Sequence, residues 1–441
     1  MSSELDRLRA LVPDAVMEVC RRLQEAGYEA WTVGGAVRDA LLERPIGDWD
    51  VATSATPEQV QARFHRTIPT GLQHGTVTVV LGRGEDRHAV EVTTFRGEGA
   101  YSDARRPDSV TFGVPLDQDL ARRDLVINAM AYDPIGHRLH DPFGGAADLT
   151  ARRIRAVGVA EDRFTEDGLR VMRAVRFAAQ LQFELDADTE AGIGPALPSL
   201  ARVSMERVRD ELLKLLRAPR PSVGLAIAQR VGIFEVVVPE LHLPGTPAAT
   251  ERWQHTERRV DAAAAAAAAI EVRLATLLEG WVEPGGAEAL MRRLKSSNEE
   301  RQLVVDLIAR AQAWRVGGGA AIEDPALRRM LGELGRATVP ALLDLWRADR
   351  VTLSSTEAAL LDVVIARVAA ILERGDALTV RDLAIGGGDL MSSMGIAPGR
   401  IVGRILEQLL TEVLVDPTAN RREELLARAV ALHASMTTPD A

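Results

Sequence analysis

The chain has 441 residues, 46% of them hydrophobic and 26% charged, with 53 basic against 63 acidic side chains and a formal net charge of −10. That length exceeds what one compact core accommodates, so about two to four domains are expected. The acidic balance argues against a general basic footprint for nucleic acid. Only Lys214 and Lys295 are lysines, leaving 51 arginines, a bias that suits phosphate recognition but that a GC-rich genome also produces. The single cysteine, Cys20, excludes a disulfide framework and a cysteine-rich zinc site. No run of eighteen uncharged apolar residues exists, and the longest apolar block, 262–270, is an alanine tract that reads as helix. The N-terminal stretch carries acids where a signal peptide has its apolar core, so a cytoplasmic chain with no membrane segment is expected. Neither lysine follows a glycine, which closes the P-loop route to phosphate.

In chain order, residues 14–26 carry a helical period that stops at Gly27. A short strand over 29–33 runs into Gly34-Gly35 and a helix over 36–42. Residues 48–52, 76–81 and 88–95 cluster or alternate β-branched side chains and read as strands, as does 110–114. From Phe164 the pattern changes to amphipathic helices over 167–180, 204–216, 223–229 and 261–278, with breaks at 315–319 and 383–398. The expected class is α+β: a head with a small mixed sheet and helices, then an all-α remainder.

The densest chemistry lies in Gly34-Gly35-Ala36-Val37-Arg38-Asp39 and the following Gly47-Asp48-Trp49-Asp50. Two glycines between strand and helix let a backbone approach phosphate, and Arg38 one turn later adds a charge-assisted fork. Asp48 and Asp50, two apart on an expected strand, project from one face, where paired carboxylates hold Mg²⁺ against a nucleoside triphosphate. Two such ions activate an attacking hydroxyl and neutralise a leaving pyrophosphate. A lone Asp-x-Asp reads as a turn or strand end; the glycine pair and Arg38 beside it favour the metal reading. Further on, Asp167, Arg170, Arg173 and Arg176 recur every three residues and wind around one side of an expected helix. A carboxylate accepts from an exocyclic amine and a guanidinium donates to a ring nitrogen, so such a face can present a pairing edge to a base; periodicity alone favours the plainer reading, a salt-bridged surface.

These segments resemble the signature of class II tRNA nucleotidyltransferases and bacterial poly(A) polymerases, members of the polymerase-β-like superfamily. Arg122-Arg123-Asp124-Leu125-Val126-Ile127-Asn128-Ala129 is similar to their second motif, Asp141-Pro142-Phe143-Gly144-Gly145 to the turn after it, and Glu166-Asp167-Gly168-Leu169-Arg170 to the helix that reads the incoming base. The resemblance implies Asp48 and Asp50 as catalytic metal ligands for Mg²⁺, and Gly35, Arg38 and Arg123 as nucleotide contacts. It implies base and phosphate contacts by Asp167, Arg170, Arg173 and Arg176, with Asp124 and Asn128 ordering the second motif around the ribose. Glu91, on a neighbouring expected strand, is a candidate third acid beside the metals or a solvent-facing strand residue.

The resemblance further implies a polymerase-β-like head over 1–150, a base-recognising neck over 151–220, a body over 221–345 and a tRNA-binding tail over 346–441. Residues 71–79 resemble the tRNA nucleotidyltransferase version of their segment. The loop from Phe95 to Phe112, with Tyr101, Asp103, Arg105, Arg106 and Pro107, has the length that enzymes adding only cytidines lack. In the body, Trp253-Gln254-His255-Thr256 and Leu274 to Leu278 resemble an HD phosphohydrolase region, but Glu279-Gly280 stands where His-Asp is needed, so no phosphatase activity is expected. The implied activity is untemplated addition or repair of the 3′-terminal CCA of tRNA from CTP and ATP. The rivals are an A-adding enzyme or poly(A) polymerase and, more distantly, a silent RNA-binding protein. No protein partner is indicated.

Overall fold

The computed structural model describes residues 2–98, 110–243, 245–316 and 320–437. The chain forms two compact units, Met1–Thr246 and Pro247–Ala441. Among the described residues no helix is long and apolar enough to cross a membrane.

Among its described residues the first unit has eleven strands: β1 (Ala30–Val33), β2 (Asp50–Thr53), β3 (Thr67–Gly71), β4 (Thr76–Leu81), β5 (His88–Thr94), β6 (Arg96–Glu98), β7 (Val110–Phe112), β8 (Ala131–Asp133), β9 (Arg138–His140), and the two-residue β10 (Arg153–Ile154) and β11 (Glu184–Leu185), which pair in parallel. Seven of them form one mixed sheet in the order β3-β4-β5-β2-β1-β8-β9, and β6 pairs with β7 separately. All ladders of the main sheet are antiparallel except β2 against β5. The four residues of β1 are all buried, and Trp31 and Val33 pack with Ala52, Phe95, Leu120 and Val126 in the core beneath the site.

The strand expected over 48–52 begins later, at Asp50, and Asp48 lies in the irregular segment before it. The cause is the length of its neighbour. Asp50 pairs with Val33, and Gly34 then takes φ 75° and turns the chain into the Gly35–Leu41 helix, so β1 offers Asp48 no partner. The strands β3, β8 and β9 escaped the sequence pattern for local reasons: β8 and β9 are three residues each, and β3 contains Pro69, which an edge strand tolerates.

Beyond the sheet, the Leu169–Leu181 helix packs against the Met205–Leu216 and Pro221–Arg230 helices. Nearly every residue of that first helix is buried, Arg170 and Arg176 included. Asp167, expected as its first residue, instead sits in extended conformation (φ −138°, ψ 105°) between the Ala160–Glu166 helix and Gly168. Gly168 is required there, because a Cβ would come within 2.3 Å of the Ser199 carbonyl carbon and the Leu200 nitrogen.

The second unit is helical, with a two-residue ladder of Arg315–Val316 on Ala320–Ala321. The helix expected over 261–278 is two helices, Pro247–Ala265 and Ile270–Leu278. Ala267 takes φ 53°, and the Ala268 N–H reaches the Ala263 carbonyl at 3.0 Å, the closing bond of a helix C-terminus. Packing of the two helices on each other and on Val339–Asp349 overrides the alanine propensity. The break expected over 383–398 likewise holds an eight-residue helix, Gly387–Met394, closed by Gly395 at φ 64°.

Candidate nucleotide-binding and catalytic site

The first unit contains a cleft of about 800 Å³ in which the start of β2, the Gly34-Gly35 turn and the Leu169–Leu181 helix meet. Eight arginines line it (Arg38, Arg96, Arg122, Arg123, Arg170, Arg173, Arg176 and Arg207) against three aspartates, Asp50, Asp124 and Asp167. The local charge is thus opposite in sign to the chain's −10. A concave wall of guanidiniums over a low-dielectric protein body focuses potential on a polyanion.

At the acidic end, the pairing of Val51 with Val92 sets Glu91 beside Asp50, and Asp48 precedes it by two residues around buried Trp49. Desolvation, then the Glu91 and Asp48 charges, raise the Asp50 carboxyl to about 6, with Arg123 opposing. Crowded carboxylates carry such a pKa when no cation compensates them. Among the described residues no three His, Cys, Asp or Glu side chains converge to enclose a metal. The donor set is oxygen only and incomplete, which fits a hard divalent cation that completes its shell with water and substrate phosphates, as Mg²⁺ does.

Gly34 does not supply a free amide, since its N–H points to the Met130 carbonyl at 3.4 Å. It is indispensable for two other reasons: its positive φ, and the Arg123 Nη1 that lies 2.9 Å from where a Cβ would stand. Buried Arg38 forks onto Asp39 at 2.8 and 3.0 Å and donates from Nη1 to Asn128 Oδ1 at 2.5 Å. Asn128 donates to Asp124 Oδ1 at 3.3 Å, and the other Asp124 oxygen accepts from Arg173 Nε at 2.6 Å. Burial pulls the Asp124 carboxyl up, but the Arg173 charge and hydrogen bond, with Asn128 and the Leu125 N–H, hold it at about 2. A continuous polar chain therefore joins the helix after the glycine turn to the Leu169–Leu181 helix.

Arg122 and Arg123 both reach Asp119, at 2.9 and 3.4 Å, and Asp119 also accepts the Arg96 backbone N–H at 3.2 Å. Asp119 is 1% exposed and orders three of the cleft's cationic residues. On the opposite wall, Asp167 accepts from the Leu169 N–H at 3.1 Å and from Arg207 Nη2 at 2.7 Å. Arg170 pairs with Glu166 at 2.5 Å and Arg176 with buried Glu211 at 2.6 Å. Arg207 Nη1 is buried and without a hydrogen-bond partner, as is Arg123 Nε.

Gly35, Arg38, Asp50, Arg123, Asp167, Arg170, Arg173 and Arg176 thus share one cleft, while Asp48 adjoins it. Sequence reasoning did not single out Asp119, Arg96, Arg207, Glu211 or Phe177 for the site. Arg207 lies 40 residues from Asp167, and no local spacing reveals that pair. The loop residues Tyr101, Asp103, Arg105, Arg106 and Pro107 fall outside the described residues. In the second unit, Glu279 is buried and paired with Arg259, which also lies 3.1 Å from Asp349. An ion cluster therefore fills the place where the HD pattern would need metal ligands.

Three family models match the chain: "Poly A polymerase head domain" over residues 30–155, "Probable RNA and SrmB- binding site of polymerase A" over 182–243, and tRNA nucleotidyltransferase domain 2 over 272–429. The CCA-adding enzyme of Leuconostoc mesenteroides is 35% identical over 416 residues, covering 92% of this chain and 93% of that protein. That of Lactobacillus gasseri is 37% identical, covering 92% and 94%. The crystal structure of the Bacillus stearothermophilus CCA-adding enzyme in complex with CTP matches at TM-score 0.74 and 32% identity, covering 96% of this chain and 98% of that one. With the head, the RNA-binding segment and the second domain all matched and the relatives aligned nearly end to end, the chain belongs to the CCA-adding enzyme family of tRNA nucleotidyltransferases.

Proposed function

We propose that this protein adds or repairs the 3′-terminal CCA of tRNA in the cytoplasm, using CTP and ATP without a nucleic-acid template. The observation that carries this reading is the cleft in which eight arginines stand beside the Asp50 end of β2. Arg38, Arg123 and the backbone at Gly35 bind the triphosphate and stabilise the charge that moves onto pyrophosphate as it leaves. Asp124 and Asn128 order that wall and face the ribose. Asp167 accepts from the exocyclic amine of the incoming base and Arg170 donates to the adjacent ring acceptor. Cytosine and adenine share that amine-next-to-acceptor pattern, whereas uracil and guanine invert it, so one pair of side chains admits both correct bases. Arg173 and Arg176 complete the wall along the same helix.

Asp48 and Asp50 are the residues that would hold Mg²⁺, which when bound supplies Lewis-acid stabilisation at the phosphates and a lowered pKa for the attacking 3′-hydroxyl. The roles extend to the segments: a transfer head over 1–150, base recognition over 151–220, a helical body with a degenerate HD-like region over 221–345, and tRNA binding by the helical tail over 346–441.

The test uses tRNA transcripts lacking CCA, lacking only the final A, or complete, each offered labelled CTP and ATP separately. Label from CTP on the first substrate supports CCA addition. Incorporation of a single A on the CC-ending tRNA alone indicates an A-adding enzyme, and a long A ladder on any RNA indicates polyadenylation. No incorporation with any divalent metal leaves an RNA-binding protein. Alanine at Asp48 or Asp50 is expected to abolish incorporation while tRNA binding persists.

A further inference from the structure

Three of the cleft's arginines have a second partner in common. The guanidinium carbons of Arg176, Arg38 and Arg173 lie 4.0, 4.8 and 5.7 Å from the centroid of the Phe177 ring. All three distances are within the roughly 6 Å over which a cation is attracted by an aromatic quadrupole. The ring is 6% exposed and itself lines the cleft. Each guanidinium is thus held between a carboxylate and the same phenyl group: Arg176 by Glu211, Arg38 by Asp39, and Arg173 by Asp124.

Three like charges gathered around one point repel one another, and burial strengthens that repulsion. Hydrogen bonds already pin part of each guanidinium: Arg38 on Asp39 and Asn128, Arg176 on Glu211 and Gln180, and Arg173 on Asp124. The shared ring attracts all three without consuming a further N–H donor, so the remaining donors stay available for phosphate and base. Leucine would fill a comparable volume but offers no quadrupole.

We propose that Phe177 is a positioning residue for the incoming nucleotide, keeping Arg38, Arg173 and Arg176 pre-arranged for CTP and ATP alike. The proposal rests on the nucleotidyl-transfer reading of the cleft. The three guanidiniums gathered on the ring are not the Asp167 and Arg170 pair that selects the base, so Phe177 acts on affinity for either nucleotide and leaves the choice between them alone.

The experiment replaces Phe177 in the full chain by 4-fluoro-, 3,5-difluoro- and 3,4,5-trifluorophenylalanine, and separately makes Phe177→Leu. Fluorination withdraws charge from the ring face at nearly constant size, so a merely space-filling side chain is indifferent to it. Expected are a stepwise rise of the Kd and KM for both CTP and ATP along the series and a loss of about tenfold in Phe177→Leu. The CTP-to-ATP ratio, the KM for tRNA and the unfolding temperature of the fluorinated series should stay within about twofold or a degree or two of wild type. Fluorinated proteins that bind both nucleotides like wild type would overturn the proposal, as would a change confined to kcat. Absence of nucleotide binding by the wild-type chain would overturn it together with the reading of the cleft, whereas nucleotide binding without incorporation would sink the transfer reading alone.

Discussion

Gly34 shows how one residue serves fold and site together. It ends β1 by turning at φ 75° and makes room for Arg123 Nη1 at 2.9 Å. Gly34→Ala therefore meets both a backbone region at φ 75°, ψ −133° that is open essentially to glycine alone, costing about 1–3 kcal/mol, and a collision with a nucleotide-facing guanidinium. We expect the KM for CTP and ATP to rise by about tenfold or more while the melting temperature falls only a few degrees, as read by steady-state kinetics and thermal unfolding. Arg207 is the complementary case. Its 2.7 Å bond holds one Asp167 oxygen while the Leu169 N–H holds the other. Removing a hydrogen bond to a charged group costs about 1.5–3 kcal/mol, so Arg207→Met should lower kcat/KM for CTP and ATP by about 10- to 100-fold. With Asp167 free to turn, incorporation of UTP relative to CTP should rise; an unchanged ratio would mean that Arg207 does not orient Asp167.

At the scale of elements, the Leu169–Leu181 helix buries charge that its sequence suggested for a surface. Its arginines recur every three residues, a spacing that by itself favours a solvated, salt-bridged face. What buries Arg176 is the Met205–Leu216 helix, which brings Glu211 to it at 2.6 Å with both side chains under a tenth exposed. Breaking such a pair leaves an uncompensated ion, so Glu211→Leu should cost about 3–5 kcal/mol in urea unfolding. The paired change Arg176→Met with Glu211→Leu should restore most of that stability while nucleotide affinity stays reduced. The alanine tract teaches the same lesson in the opposite direction. The sequence 262–270 has high helix propensity, yet the helix stops at Ala265 because the chain must reverse to pack Ile270–Leu278 on its predecessor. Propensity differences of tenths of a kcal/mol per residue yield to buried area.

At the scale of the whole molecule, two charge distributions matter. The net −10 describes the surface average, whereas eight arginines converge in one cleft. In the second unit, the Arg259, Glu279 and Asp349 cluster holds two carboxylates against one guanidinium. Burial first, and then the Glu279 charge, raise the Asp349 carboxyl to about 7 despite Arg259. The folded state therefore binds this proton more tightly than the unfolded chain, whose aspartate titrates near its ordinary value of about 3.9. Stability should fall as pH rises from about 4 to about 7 and level off above. Urea midpoints measured between pH 5 and 8 should show that slope in the wild type, and Asp349→Asn should remove the part above about pH 6, leaving below it the part that the raised Asp50 carboxyl contributes.

The sequence by itself determined the local chemistry: the glycine turn before Arg38, the Asp48 and Asp50 pair, the Arg122-Arg123-Asp124 run and the Asp167 to Arg176 series. Each is set by neighbours within a few residues, and family resemblance gave those motifs a shared purpose. It also made β4 and β5 visible, because their β-branched runs are long enough to carry a period, and β1 as the short strand that ends at the glycine pair. Only the tertiary structure decided which partner each charge takes. Arg38 meets Asn128 across 90 positions, Arg173 meets Asp124 across 49, Arg207 meets Asp167 across 40 and Arg176 meets Glu211 across 35. Hydrophobic burial aligns the helices and strands first, and these contacts follow from that alignment. No spacing along the chain encodes them, nor the approach of Arg38 to Phe177, whereas Arg173 and Arg176 reach that ring from positions on its own helix.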